Sequence, residues 1–219
     1  MTIEDALRQL HDTAEAARHA AFVRLSSLER SDLDSLDILI QSLRQDVDRN
    51  TRFAVLAGLL VLGPEAASAM PSVALQIDDS WPPIRQLAMT VFARFGRCSD
   101  EMMAKLIGIL HRDPIAGNRA EAARTIATLN SGSESALKSL IQALNDADRS
   151  VRSTVATQLR VLGGGAAAAI PALRRLAGEP ETPMLLRFEF KQAADVIEWR
   201  VAGNDGPMPE PPRRRRGKA

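Results

Sequence analysis

The chain has no tyrosine, two tryptophans and six phenylalanines among 219 residues. So low an aromatic content is a poor stock for platforms that stack bases or sugars. A single cysteine, Cys98, excludes an internal disulfide framework and fits a reducing compartment, so cytoplasmic residence is expected. The opening MTIEDALRQLHD carries acids early and no long apolar core, so no signal peptide is expected. Nowhere do about 18 apolar residues run without interruption, and no membrane span is expected. No segment sustains a two-residue alternation of β-branched residues, which argues against a sheet.

Chemistry-bearing motifs are equally scarce. The three histidines, His11, His19 and His111, are followed by Asp12, Ala20 and Arg112. None has a second histidine at the i+4 spacing that puts two metal ligands on one helix face. His11 and His111 are expected at the C-terminal ends of helices, where a cation is favoured. Gly163-Gly164-Gly165 has no GKS or GKT after it and links helix to helix, so it reads as a turn rather than a phosphate cradle. No G-x-S-x-G occurs. Neither a catalytic residue nor a metal or other cofactor is expected.

What the chain does have is a period. Arg18, Arg52, Arg85, Arg119, Arg152 and Arg187 recur every 33 to 35 residues, and six positions before each stands an acid: Asp12, Asp46, Asp79, Asp113, Asp146 and Glu181. Ten positions after each arginine the residue is apolar (Leu28, Leu62, Phe95, Leu129, Leu162, Ile197). Next come Gly63, Gly96, Asn130 and Gly163 in the middle units, residues that tolerate the left-handed backbone ending a helix. Further apolar columns follow at Leu36, Met70, Met103, Leu137 and Ile170, and at Leu39, Val73, Leu106, Leu140 and Leu173. A fixed period of this length means stacked supersecondary units. Within a unit the spacing is helical: Val55, Leu56, Leu59 and Leu62 share one face, a break follows at Gly63-Pro64, and a second apolar set opens at Met70.

One helix pair cannot bury its apolar stripe alone, so the pairs must lean on one another. The fold expected is therefore all-α, an α-solenoid of about five to six antiparallel helix pairs. Pairs are placed at about 13–45, 48–77, 81–111, 115–145 and 148–177. Residues 2–11 cap one end through Ile3, Leu7 and Leu10. A terminal helix over 182–201 seals the other through Phe188, Phe190, Val196, Ile197 and Trp199. The repeat domain is drawn over 1–202. Residues 203–219, rich in Pro and Gly and ending in Arg213, Arg214, Arg215 and Arg216, are expected to be a disordered basic tail.

Asp146 with Val151-Arg152, the helix end Leu162-Gly163, and Ala169-Ile170-Pro171-Ala172-Leu173 resemble the bacterial HEAT repeat, including its short relatives in phycobilin lyases. The resemblance extends over roughly residues 12–200 and departs at Lys191, where other units carry a mostly apolar residue. It implies a non-enzymatic scaffold that presents a concave groove, lined by the second helices, to a protein or peptide partner. By that analogy the groove includes Asp37, Gln41, Arg44, Ser72, Gln76, Lys105, Lys138, Gln142, Arg174 and Arg175. Trp81, heading a first helix, is the candidate exposed anchor. The His-Glu pairs of the HEAT-like deoxyhypusine hydroxylases are missing here. The alternative is a nucleic-acid-binding protein, as in the HEAT-like alkylpurine DNA glycosylases, with the arginine tail contacting phosphates in a salt-dependent way. That tail carries a formal +3 of the chain's +1, leaving the repeats near −2. A chromophore-handling role like that of the phycobilin lyases is a third reading. The arginine column is read as structural, each guanidinium holding a carboxylate in its own or an adjacent unit; its planar fork suits that better than lysine would.

Overall fold

The computed structural model describes residues 1–45, 48–96, 98–129 and 132–208. Asp46, Asn130 and the run Arg213–Arg216, all singled out above, lie outside the described residues. The chain forms α1 (Ile3–Gln9), α2 (Glu15–Leu25), α3 (Leu36–Gln45), α4 (Arg49–Leu62), α5 (Met70–Gln76) and α6 (Pro82–Phe95). Then follow α7 (Asp100–Arg112), α8 (Ala116–Leu129), α9 (Glu134–Ala143), α10 (Arg149–Leu162), α11 (Ile170–Gly178) and α12 (Met184–Val201). Among the described residues there is no strand. The expected α-solenoid of helix pairs is what the chain builds.

Local chemistry places the helix starts. Asp48, Ser99, Ser133 and Asp148 cap α4, α7, α9 and α10 by accepting first-turn backbone N–H groups. Thr2 and Asp5 form a reciprocal capping box on α1. Pro82, Pro71 and Pro171 sit in first turns, where the missing N–H costs nothing. At the other ends, Gly63, Gly96 and Gly163 take φ of 62°, 70° and 56°, conformations that glycine alone adopts without penalty. The Gly163–Ala169 link is not a simple turn: it winds as a 3₁₀ segment, as does its counterpart Gly63–Ala69.

The helices form two layers. First helices α2, α4, α6, α8, α10 and α12 pack side by side, each on the next, with small residues such as Ala54, Gly58, Ala88, Ala123 and Ala156 buried between them. Gly58 permits the closest approach: a Cβ there would lie 2.5 Å from the Leu25 carbonyl oxygen. Second helices α1, α3, α5, α7, α9 and α11 form the other layer. Their column Leu39, Val73, Leu106, Leu140 and Leu173 is wholly buried, and it faces the first layer along one continuous core.

Arg49–Gln76 has the length and mean hydropathy, 1.7, of a membrane-crossing segment. It breaks at Gly63, and α4 with its 14 residues spans only about 21 Å, against the ~30 Å of a bilayer core. Its apolar side chains Ala54, Val55, Leu56, Leu59 and Leu62 are buried in the stack.

The two ends differ. At the N-terminus Ile3, Ala6 and Leu10 bury against the first unit, with Leu7 partly covered. At the C-terminus Phe190 and Ile197 are buried as expected, but Phe188 is 62% exposed, beside Met184 and Leu185. Phe188 does not seal the stack, because it lies on the face of α12 turned away from α10 and α11.

Candidate functional site

The pairing of the periodic arginines decides how much charge is left for a ligand. Arg85 donates from Nε and Nη2 to the two carboxylate oxygens of Asp113 at 2.8 and 3.0 Å. Arg119 does the same to Asp146, both at 2.8 Å. Arg52 reaches Asp79 from Nε at 3.0 Å and Nη2 at 2.9 Å. Each pair therefore joins one unit to the next. The contact within a unit is a different one: Nη1 donates to the main-chain carbonyl of the acid six residues back, at 2.9 Å for Arg85 with Asp79 and for Arg119 with Asp113. Each aspartate is itself fixed by its own turn, accepting from the backbone N–H two residues on: Trp81, Ile115 and Asp148. Burial works to raise the Asp113 and Asp146 carboxyls. Arg85 and Arg119, helped by those turn amides, overcome it and hold both below the usual carboxylate range.

Arg18 and Arg152 depart from this pattern. Arg18 donates to the Asp12 and Thr13 carbonyls; the acid of the following unit, Asp46, is outside the described residues. Arg152 keeps the carbonyl contact, to Asp146 at 3.3 Å. Its buried Nε finds no acceptor. The expectation that every arginine of the column holds a carboxylate thus fails at Arg152.

A second set of links runs through the second helices and is invisible in the columns read above. Arg44 donates to Ser72 at 2.8 Å, Lys105 to Asp78 at 2.9 Å, and His111 Nε2 meets Ser139 Oγ at 2.8 Å. All three join position 26 after one arginine to position 20 after the next. Chemistry varies from rung to rung while geometry is constant, so no residue type repeats down the column to betray it. Burial pushes His111 below the ordinary histidine pKa despite the nearby Asp146, with Arg112 adding to the effect. His111 stands in the last turn of α7, as expected, and links α7 to α9 through Ser139, while its burial disfavours the cation that a helix end would favour. Cys98 is half-buried, and burial, with Asp100, raises its thiol, which disfavours a reactive thiolate.

These links also account for much of the surface expected to bind a partner. Gln76 is buried and donates to the Leu43 carbonyl, Arg44 and Lys105 hold Ser72 and Asp78, Arg174 pairs with Asp195 and Glu198, and Arg175 pairs with Glu179. Gln41 is exposed and reaches Gln45 along its own helix. Lys138 and Gln142 are exposed on α9. The residues do not converge on one closed site. Among the described residues no three His, Cys, Asp or Glu side chains stand close enough to hold a metal ion.

Two surface depressions are prominent. An open groove of about 770 Å³ crosses from the end of α5 to α7, lined by Ile77, Asp78, Glu101, Ala104, Lys105 and Ile109 among others. On the first-helix side, Phe22 stacks on Phe53 with centroids 6.3 Å apart, and Trp81 meets Phe53 edge-on at 5.8 Å. The Arg49 guanidinium lies over Trp81 at 5.2 Å. Trp81 is therefore packed between units rather than presented as a free anchor. Phe22 and Phe53 stand at different positions of their repeats, which is why periodicity gave no sign of the cluster.

The comparisons agree with this architecture. Residues 103–187 match the family model of HEAT repeats. No curated protein matches the sequence. Among solved structures, a designed armadillo repeat protein in complex with the peptide (KR)4 shares 16% identity at a TM-score of 0.60, over 90% of this chain and 100% of that one. A Kap121p mutant shares 13% at a TM-score of 0.60, over 91% of this chain and 25% of that one. An engineered protein from a structural genomics effort shares 18% at a TM-score of 0.57, over 90% and 96%. At such identities the likeness is one of fold. Residues 103–187 are thus similar in sequence to HEAT repeats, and the chain shares the α-solenoid fold of armadillo- and HEAT-type structures.

Proposed function

We propose that the chain is a non-catalytic protein-interaction module whose partner lies along the second-helix layer. The observation that carries this reading is the open, mixed-polarity groove across α5 and α7; the next helix of the same layer, α9, exposes Lys138 and Gln142. An extended surface of alternating apolar and charged groups suits a peptide or a folded protein face better than a small molecule, which needs to be enclosed. Arg52, Arg85 and Arg119 are committed to carboxylates of the stack and offer little charge to a polyanion. One structural neighbour, the designed armadillo protein, holds a peptide, which supports the same use of this architecture here.

The test is affinity capture with the full chain beside a Lys138→Glu/Gln142→Glu double variant whose circular dichroism and melting temperature match the parent. Loss of the captured partner by the double variant supports the reading. Retention of the partner by that variant places the interface elsewhere. Binding to DNA that survives removal of residues 207–219 and falls steeply with salt would replace a protein partner by a nucleic acid.

A further inference from the structure

We infer that Arg152 is a carboxylate-binding site open to an external ligand. This deepens the interaction reading by naming one chemical group that a partner would supply. In three consecutive units the guanidinium at this position is closed by an aspartate of the next unit. Two features make that closure possible: a side chain one methylene long, and a free backbone N–H two residues on that pins it. The unit after Arg152 lacks both. Its acid is Glu181, one methylene longer, and the residue two positions on is Pro183, which has no N–H to donate. Glu181 accordingly lies exposed, and the Arg152 Nε is buried without an acceptor.

Arg152 lines a pocket of about 210 Å³ whose other walls include Leu144, Leu176, Phe190, Asn145 and Thr182. Its two acids are Glu179, already paired with Arg175, and Glu181. The volume is several times the ~30 Å³ of a water molecule, room for a carboxylate with a short aliphatic stem. Planar two-point pairing with a carboxylate is the recognition for which a guanidinium is shaped, and a buried donor without an acceptor gains from any group that completes it. A peptide supplies that chemistry either from its C-terminus or from an acidic side chain.

The experiment follows the ¹⁵Nε–¹Hε resonance of Arg152 in the full chain, assigned by its loss in Arg152→Lys. Sodium butyrate is titrated against butyramide and against sodium chloride at equal ionic strength. Saturable movement of the Arg152 signal with butyrate alone, while Arg119, held by Asp146, stays still, is the expected result. Acetyl-Ala-Val with a free C-terminus, its C-terminal amide, and acetyl-Ala-Glu-amide then separate the two peptide sources. Glu181→Gln removes a like charge from the pocket and tightens butyrate binding. Arg152→Lys weakens it by roughly tenfold or more, as expected for loss of a two-point charged contact. Joint movement of Arg119 and Arg152, or no movement beyond that caused by chloride, overturns the proposal. So does a Glu181→Gln variant that melts as low as Asp146→Asn, since Glu181 would then be the acceptor. None of these readouts depends on the partner captured through α9, so either reading can fail without the other.

Discussion

Arg119 divides its guanidinium between two units of the stack. Nε and Nη2 hold Asp146 of the following unit, while Nη1 holds the Asp113 carbonyl of its own. Asp146→Ala leaves a largely buried guanidinium without its carboxylate, and a loss of about 3 kcal/mol is expected by denaturant unfolding. Arg119→Lys restores little, because an ammonium cannot reproduce the fork. His111 adds a pH dependence with a definite sign. Its folded pKa lies below the ordinary 6.5, so the unfolded chain takes up the proton first. The stability it contributes is complete above pH 6.5 and is lost as the pH falls below that value. Thermal melts from about pH 7 to about pH 5 should therefore decline, and His111→Gln should flatten that decline. The depressed carboxyls of Asp113 and Asp146 act in a separate, lower window, where stability is lost as the pH falls beneath the usual carboxylate range.

At the scale of the element, helix ends and close approaches set the stack. Gly58 lets α4 lie against the end of α2, and Gly58→Ala drives a methyl into the Leu25 carbonyl. Backbone must shift to admit it, and a loss of about 1–3 kcal/mol is expected in equilibrium unfolding. Gly163 is constrained twice over: φ is 56°, and an added Cβ would sit 3.3 Å from the Arg200 side chain. Gly96 has positive φ but open space around it. Gly163→Ala should thus cost more than Gly96→Ala, a ranking that chemical denaturation of the two variants checks directly.

On the scale of the whole molecule, stability is shared between neighbours rather than gathered in one centre. Leu159 and Leu173 are wholly buried in the last complete unit. Leu159→Ala or Leu173→Ala should each cost about 2–5 kcal/mol. In a one-dimensional stack the loss is felt first by the units in contact. Hydrogen exchange should therefore accelerate in α8, α10 and α12 while α1 to α4 change little. Uniform acceleration from end to end would show instead a single cooperative block.

The period, the helix pairs, the buried Leu39-to-Leu173 column and the helix-ending glycines were all legible in the sequence, because each is a local requirement that returns in every unit. The solenoid followed, since amphipathic pairs of that length have nowhere to bury their stripes except against one another. The acid column also pointed to the ladder, though only the stack shows that Arg52, Arg85 and Arg119 reach forward to the next unit's aspartate. The substitutions at Glu181 and Pro183 were visible as letters, but their effect on Arg152 depends on where a neighbouring turn aims a carboxylate. The links Arg44–Ser72, Lys105–Asp78 and His111–Ser139, and the Phe22–Phe53–Trp81 cluster, emerged only in three dimensions. A repeat advertises what it keeps constant, whereas contacts made by unlike residues across two units leave no periodic trace. Packing alone decides them, because it brings together side chains some 27 to 31 positions apart.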